Sequence, residues 1–151
     1  MQARFTPGQV IARREMLDGR EWLLYPVRVV ADEGDLLAVY LAEGTPLTFG
    51  TGEFRWGPHP WSELDPFWQS DGVLQIQRSA AAYAVWPRWK GNTFDGWYVN
   101  FQQPMRRTEH GFDTLDPPRP ADGESPRGCA RGRPDGRCWT PTGTIRTVMY
   151  D

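Results

Sequence analysis

The sequence predicts an all-β protein, a small antiparallel β-barrel of six or seven strands followed by an irregular C-terminal tail. Short segments rich in β-branched and aromatic residues recur at nearly regular spacing, separated by Gly, Asp, Pro and Thr. No segment has a sustained helical period of apolar residues. With 151 residues and 39% apolar composition, the chain can bury one core, so we expect one folded domain.

Seven segments have the length and composition of strands. The second contains Pro26, which lacks a backbone N–H, so we expect this strand to lie at a sheet edge or at a bulge. Only residues 60–68 are expected to form a helical turn. The predicted strands are residues 9–15, 22–31, 35–42, 46–49, 73–78, 81–86 and 96–102.

The chain changes character after Asp116. Residues 117–151 contain six of the fourteen prolines, five of the sixteen glycines and both cysteines, but no Leu and no Phe. The charge also changes there, from 11 basic minus 15 acidic residues, or −4, to 6 minus 4, or +2. Such a composition buries too little apolar surface to offset the entropy of ordering the chain. We therefore predict a β-barrel domain at 1–116 and an irregular or disordered tail at 117–151.

Net charge and hydropathy argue against two classes of protein, those that bind nucleic acid and those that span a membrane. The formal net charge is −2, whereas proteins that follow a nucleic-acid backbone usually carry a basic surplus, so we do not expect nucleic acid as a partner. The longest apolar run, residues 36–42, is too short to span a bilayer. We therefore expect a cytoplasmic protein without a membrane segment. The sequence leaves the oligomeric state open.

A polar face on the last predicted strand is the first candidate for chemistry. In residues 96–102 the side chains alternate across the sheet, which places Asn100 and Gln102 on one polar face. Asn is depleted within strands, so Asn100 is either a ligand or a strand-end residue that bonds a neighbouring loop. After a loop, Asp113 and Asp116 offer two carboxylates that could fold back beside Asn100. Such oxygen ligands suit Mg²⁺ or Mn²⁺, although carboxylates at this spacing are also common as solvated caps.

Two further features allow either a ligand-binding role or a packing role. Arg20 follows a tight turn and begins a long strand, where a guanidinium can clamp phosphate oxygens or simply solvate a hairpin. Trp56, Trp61 and Trp68 lie within thirteen residues and can stack on a nucleobase or pack in the core. Neither histidine is assigned a role.

Ordered motifs over about 110 residues resemble one family, the FomD-like barrel proteins. This family includes nucleoside tri- and diphosphate phosphatases and a hydrolase of cytidylyl phosphonate esters. The motifs are Gly8-Gln9-Val10, Gly19-Arg20-Glu21-Trp22, Pro26-Val27-Arg28-Val29-Val30, Leu36-Leu37-Ala38-Val39-Tyr40, Gly96-Trp97-Tyr98-Val99-Asn100, Pro104-Met105-Arg106-Arg107-Thr108 and Gly111-Phe112-Asp113-Thr114-Leu115-Asp116.

The resemblance implies a role for three residues. The family's catalytic arginine, thought to act as a proton donor, matches Arg20. Its strand asparagine, a metal ligand, matches Asn100, and the first aspartate of its metal-binding loop matches Asp116. The implied cofactor is Mg²⁺ or Mn²⁺, and the implied reaction is hydrolysis of a phosphoanhydride or phosphodiester in a nucleotide-like substrate.

The chain departs from the family pattern directly after Asp116. Family members continue with Leu-Asp four residues later, then a strand and a helix with further acidic ligands, whereas this chain continues with Pro117-Pro118-Arg119-Pro120. One permitted codon spelling of these four residues encodes Arg-Leu-Asp when read one base later. Our hypothesis is that two bases were lost after Asp116 and that the tail is an out-of-frame translation.

The sequence therefore predicts a divalent-metal-dependent hydrolase of nucleotide-like substrates, impaired in this chain because metal ligands are missing. The alternative is a non-catalytic β-barrel module that binds a nucleotide or RNA without metal. The base and the phosphate chain length of the substrate, and the residues that bind it, are not predicted.

Overall fold

The computed structural model describes residues 4–54, 57–59 and 61–115, which contain nine strands. Asp116 and the predicted tail at 117–151 lie outside the described residues, as does Trp56. The strands are β1 (Val10–Leu17), β2 (Arg20–Glu33), β3 (Leu36–Leu41), β4 (Thr48–Phe49), β5 (Val73–Arg78), β6 (Tyr83–Lys90), β7 (Thr93–Phe101), β8 (Arg106–Thr108) and β9 (Gly111–Leu115).

All nine strands belong to one sheet, in the order β7-β6-β5-β3-β2-β1-β9-β8, with β4 paired to β2 beside this path. The all-β class predicted from the sequence is confirmed. The structure differs from the prediction in two respects. It has two additional strands, β8 and β9, and β9 pairs with β1 in parallel, whereas an antiparallel sheet was expected. Arg106–Thr108 is short and highly charged and has no alternating apolar pattern, so the sequence does not predict β8.

The sheet curls so that its distant strands meet through their side chains. Arg13 of β1 approaches Gln102, just after β7, with 3.5 Å between Nη2 and Oε1. The guanidinium of Arg13 also lies 5.1 Å from the ring of Trp86 on β6. The two edge strands of the described sheet, β7 and β8, do not pair with each other. The sheet is therefore not closed by backbone hydrogen bonds, and the barrel is approximate.

Pro26 occupies a gap between two ladders on one side of β2. There β3 pairs with β2 from Arg28 onward, and β4 pairs with Leu23 and Leu24. The missing N–H of Pro26 is tolerated in such a local edge position, as predicted. Residues 61–64 form a turn and not a helix, and in the described part of the chain no helix is long and apolar enough to cross a membrane.

Close backbone contact fixes the parallel pair of β1 and β9. A Cβ atom built on Gly111 would lie 1.9 Å from the carbonyl oxygen of Ala12, so only glycine allows β9 to begin here. The core lies inside the curl. Its buried side chains are Phe5, Ile11, Leu17, Trp22, Leu23, Tyr25, Val27, Val29, Leu37, Val39, Leu41, Phe54, Met105 and Phe112.

Candidate functional site

Polar side chains occupy part of the buried, concave face of the sheet. On β1, Arg13 and Glu15 lie between the buried Ile11 and Leu17, because alternate residues of a strand share a face. On β5, two glutamines, Gln75 and Gln77, are 0% and 2% exposed, while their apolar neighbours face the other side. Buried polar groups are uncommon and need partners, so this part of the face is a candidate site.

Arg13 is the central charge of this face and is completely buried. Its Nη1 donates to Oε1 of Gln75 at 2.5 Å, and its Nη2 lies 3.3 Å from Oε1 of Glu15 and 3.5 Å from Oε1 of Gln102. The guanidinium carbon also lies 5.5 Å from the ring centre of Tyr25. A buried cation needs such a set of acceptors, because its transfer from water to the protein interior costs on the order of several kcal/mol.

A chain of side-chain amides extends from Arg13 to Asn100. The Nδ2 atom of Asn100 donates to Oε1 of Gln102 at 3.0 Å, and Nε2 of Gln102 donates to Oε1 of Gln77 at 3.0 Å. Within the described residues, Nε of Arg13, Nε2 of Gln77 and Nε1 of Trp86 are buried donors without a hydrogen-bond partner. Buried donors are normally paired, so these three atoms distinguish this face from the rest of the core.

Burial changes the acid–base behaviour of this face. It raises the pKa of Glu15, and the positive charge of Arg13 only partly opposes the change. Burial also raises the pKa of Tyr98 to about 12, with a further contribution from the negative charge of Glu15. Tyr98 therefore keeps its proton near neutral pH and is available as a hydrogen-bond donor.

Arg20 is held by a loop and not by the amide chain. Its guanidinium donates to the carbonyl oxygens of Glu53 and, at 2.6 Å, of Thr51, and its Cζ lies 4.6 Å from the ring centre of Phe54. Gly52 has φ +86°, and a Cβ there would lie 2.9 Å from Nη2 of Arg20. The loop is thus shaped around an exposed guanidinium whose partners are neutral oxygens.

The tryptophan-rich segment packs against the core. His59 stacks on Trp22 with 3.8 Å between ring centres, and its Nε2 lies 3.0 Å from the carbonyl oxygen of Trp22. Trp61 contacts the same pair, at 5.9 Å from Trp22 and 5.4 Å from His59. Together with the packing of Trp68, these contacts support the packing interpretation for the described tryptophans.

The described residues bring only part of the predicted metal site together. Asn100 lies in β7 opposite Ala84, at the end of the amide chain. Asp116 is not described, but Leu115 pairs with Met16, which pairs with Glu21. The end of β9 therefore lies two strands from the start of β2. The contacts described for Arg20 and Asn100 include none between the two residues.

Asp113 is not free to bind a cation. Its Oδ1 accepts from Nε of Arg14 at 2.7 Å, and its Oδ2 accepts from Nη2 of Arg14 at 2.9 Å and from Nη2 of Arg106 at 2.7 Å. Among these side chains, the oxygen atoms of the kind that bind metals are Oδ1 of Asn100 and the carboxylate of Glu15, which contacts Arg13. They suit Mg²⁺ or Mn²⁺ in kind. Within residues 4–54, 57–59 and 61–115, however, no three His, Cys, Asp or Glu side chains form a metal-binding group.

Sequence reasoning missed Arg13, Gln75 and Gln77. On β1 the alternation of Ile11, Arg13, Glu15 and Leu17 does signal charges on a core-facing row. On β5 the alternation is ambiguous, because Leu74 and Ile76 offer an equally regular apolar face, and the structure places the glutamines inside.

Comparison with known proteins supplies the family. No family model matches the chain. The chain is 52% identical over 114 residues to cytidylyl-2-hydroxypropylphosphonate hydrolase of Streptomyces fradiae, and 53% identical over 116 residues to the protein of the same name from Streptomyces wedmorensis. The matched part of this chain belongs to the FomD-like family. These alignments cover 74% and 76% of the chain.

Two solved structures agree with membership in the FomD-like family. FomD in complex with CDP has a TM-score of 0.68 and 51% sequence identity, over 74% of this chain. The phosphatase SC4828 with the non-hydrolysable nucleotide GPCP has a TM-score of 0.62 and 33% identity, over 75% of this chain. The chain spans only 55% and 56% of the two curated relatives, and 59% and 60% of the two solved chains.

Proposed function

We propose that this FomD-like protein hydrolyses a phosphoanhydride or phosphodiester bond of a nucleotide-like substrate with the help of Mg²⁺ or Mn²⁺. The observation that carries the proposal is the 52% identity over 114 residues to a named cytidylyl-2-hydroxypropylphosphonate hydrolase. The solved relatives with CDP and GPCP support a nucleotide as the ligand class.

Arg20 is proposed to bind the phosphate and to protonate or stabilise the leaving group. Its fork of donors now faces two neutral carbonyl oxygens, those of Thr51 and Glu53. A phosphate would bind the same fork more strongly, because it carries the opposite charge and arginine–phosphate pairs are often bidentate. Stabilising charge as it develops on the leaving group is the largest single contribution that such a residue can make.

Asn100 and Asp116 are proposed to hold the divalent ion. Oδ1 of Asn100 and a carboxylate are hard oxygen donors, and Mg²⁺ is commonly bound by one or two carboxylates plus substrate phosphates. When bound, such an ion supplies charge neutralisation at the phosphate and activation of the attacking water. Tyr98 keeps its proton near neutral pH, and Arg13 donates to the side chain of Gln75.

We further propose that this chain is slower than full-length members of the family. The described residues contain no group of three acidic, His or Cys ligands, and Asp113 is already engaged by two arginines. A single, substrate-assisted ion is consistent with this donor set, whereas a stable pair of ions is not. With Mn²⁺, phosphate release from nucleoside di- or triphosphates should be much slower than for a full-length relative, and equal rates would contradict this point.

A non-catalytic nucleotide-binding module remains the second candidate, and the incomplete donor set favours it. The two functions differ in their response to a chelator. The enzyme should lose both nucleotide affinity and turnover in EDTA, whereas the binding module should keep its affinity and show no turnover.

Arg20→Ala tests the proposed reaction against a matched control. Hydrolysis of a small nucleotide panel with Mn²⁺ should fall roughly 100- to 1000-fold in this variant, as when one donor to a developing charge is removed. Arg78→Ala removes another exposed arginine, which pairs with the exposed Asp35, and should leave the rate unchanged. Equal rates in wild type and Arg20→Ala would overturn the role of Arg20, and hydrolysis that persists in EDTA would overturn the role of the metal.

A further inference from the structure

We propose that Gly52 and Phe54 are positioning residues for Arg20: the loop of residues 50–54 holds the guanidinium in one orientation and leaves its Nε–H and two further N–H groups for a phosphate group. The proposal rests on the proposed function, because it takes Arg20 as the residue that binds phosphate. It adds how an exposed arginine is ordered before the substrate binds.

Backbone pairing brings the 50–54 loop to Arg20. Strand β4 pairs antiparallel with β2, and directly after β4 the backbone N–H of Gly50 donates to the carbonyl oxygen of Trp22 at 2.8 Å. Because the two segments are antiparallel, the chain beyond Gly50 runs toward the first residue of β2, which is Arg20. The sheet therefore sets the distance between the loop and the guanidinium.

The loop contacts use only part of the guanidinium. A guanidinium has five N–H donors, two on each Nη atom and one on Nε. Nη1 of Arg20 donates to the carbonyl oxygen of Glu53, and Nη2 donates to the carbonyl oxygen of Thr51 at 2.6 Å. Among the described contacts, these bonds use one N–H of each Nη atom, so three N–H groups remain. The guanidinium can therefore bind phosphate oxygens while the loop still holds it, and its neutral partners do not cancel its charge.

Phe54 supports one face of the guanidinium. The Cζ atom of Arg20 lies over the ring of Phe54, 4.6 Å from its centre, which is a favourable position for a cation. The ring itself is buried and packs edge-on against Trp22, with 4.8 Å between the ring centres. A guanidinium held on a fixed ring loses less conformational entropy when it binds a ligand than a free one does.

Gly52 gives the guanidinium its space. Residue 52 has φ +86°, and a Cβ atom built there would lie 2.9 Å from Nη2 of Arg20. Because Nη2 is the end of a flexible side chain, alanine at this position should displace the guanidinium and leave the sheet in place. Gly44 has a similar φ of +74°, but no atom lies within 4 Å of its built Cβ. Gly44→Ala therefore has comparable backbone strain without the contact to Arg20 and is a matched control.

A double-mutant cycle on the full 151-residue chain tests the proposal through the dissociation constant for the non-hydrolysable methylene analogue of CDP, measured with Mn²⁺. Gly52→Ala should weaken binding about 10-fold, because hydrogen bonds from a charged group to phosphate are lost or misaligned. Gly44→Ala should change the constant less than about 2-fold. In the Arg20→Ala background Gly52→Ala should also cost less than about 2-fold. Equal costs in both backgrounds would overturn the proposal, since a purely structural effect of Gly52 would not depend on residue 20.

The order of the guanidinium in ligand-free protein is a second test that needs no substrate. In ¹⁵N NMR the Nε–H signal of Arg20, assigned by its loss in Arg20→Ala, should have an order parameter near the value of rigid backbone, about 0.85. In Phe54→Leu it should fall below about 0.6. Phe49→Leu shortens another ring that packs against the core and should leave the order of Arg20 unchanged. An order parameter below about 0.6 in wild-type protein would overturn the proposal even if Gly52→Ala and Phe54→Leu failed to fold.

The outcomes separate this proposal from the proposed function. Wild-type protein that does not bind the CDP analogue would overturn both together. Binding of the analogue with equal costs of Gly52→Ala in the two backgrounds would overturn the positioning role alone.

Discussion

Arg14 of β1 and Asp113 of β9 are joined by two hydrogen bonds, Nε to Oδ1 at 2.7 Å and Nη2 to Oδ2 at 2.9 Å. Arg106 of β8 donates to the same carboxylate at 2.7 Å, so one completely buried side chain links three strands. Burial alone would raise the pKa of Asp113, but the hydrogen bonds from Arg14 and Arg106 outweigh it and hold this pKa below its usual value.

Asp113→Asn should therefore destabilise the fold. The variant leaves two arginines without their counter-charge and weakens the only parallel pair described among these strands, β1 with β9. Because both arginines are partly exposed, we expect a loss of about 1–3 kcal/mol in the free energy of unfolding. Urea unfolding measures it. The control is Asp35→Asn, whose exposed pair with Arg78 should contribute less than about 1 kcal/mol. Equal losses in the two variants would contradict the linking role of Asp113.

Gly111→Ala should be more damaging than a glycine substitution at an open turn. A Cβ at residue 111 would lie 1.9 Å from the carbonyl oxygen of Ala12, so β9 would have to separate from β1. The expected loss exceeds about 3 kcal/mol. Gly91 has φ +58° and no atom within 4 Å of its built Cβ, so Gly91→Ala should cost only the backbone strain of about 1–2 kcal/mol. Similar losses at both positions, measured by thermal or urea unfolding, would argue against the close contact.

His59 should make stability depend on pH. Its Nδ1 accepts from the backbone N–H of Trp61 at 3.1 Å, and its Nε2 faces the carbonyl oxygen of Trp22, which is the pattern of a neutral ring. Burial lowers the pKa of His59, although the carbonyl of Trp22 opposes the change. The unfolded chain therefore takes up a proton at higher pH than the folded chain, and stability falls as the pH drops below about 6.5 toward the folded pKa.

The pH dependence of unfolding in two variants checks this assignment. One group contributes at most about 1.4 kcal/mol per pH unit. His59→Gln should remove this slope, whereas His110→Gln, at an exposed turn between β8 and β9, should retain it. A slope that survives in His59→Gln would assign the effect to another group.

Much of the fold could be predicted from the sequence because local patterns determine it. β2 and β3 carry β-branched and aromatic residues bounded by turns, and all seven predicted strands are present. β9 could not be predicted, because its parallel pairing with β1 joins residues about 100 positions apart. In the sequence Asp113 resembles a metal ligand, and only the structure shows that it pairs with Arg14.

The candidate site could be predicted only in part. The motifs point to Arg20 and Asn100, whose roles stay predictions, and the structure adds the side chains around them. Gln75 and Gln77 lie inside the curl although Leu74 and Ile76 form an equally good apolar row. Hydrogen bonds from Arg13 to Gln75 and from Gln102 to Gln77 favour this orientation. Strand alternation defines two faces without stating which of them points inward.

The frameshift hypothesis for the segment after Asp116 has a direct test in the DNA. Sequencing of the locus should reveal two missing bases relative to close relatives, and their restoration should place Leu-Asp four residues after Asp116. An intact reading frame with the same tail in close relatives would contradict the hypothesis.

The most direct test of the central claim is the Mn²⁺ dependence of CDP hydrolysis by the purified chain, compared with Asn100→Ala and Asp116→Ala. We predict slow but measurable phosphate release that rises with Mn²⁺, disappears in EDTA and falls at least about 10-fold in each variant. Undiminished, Mn²⁺-dependent turnover in both variants would contradict a catalytic centre built on these two oxygen ligands.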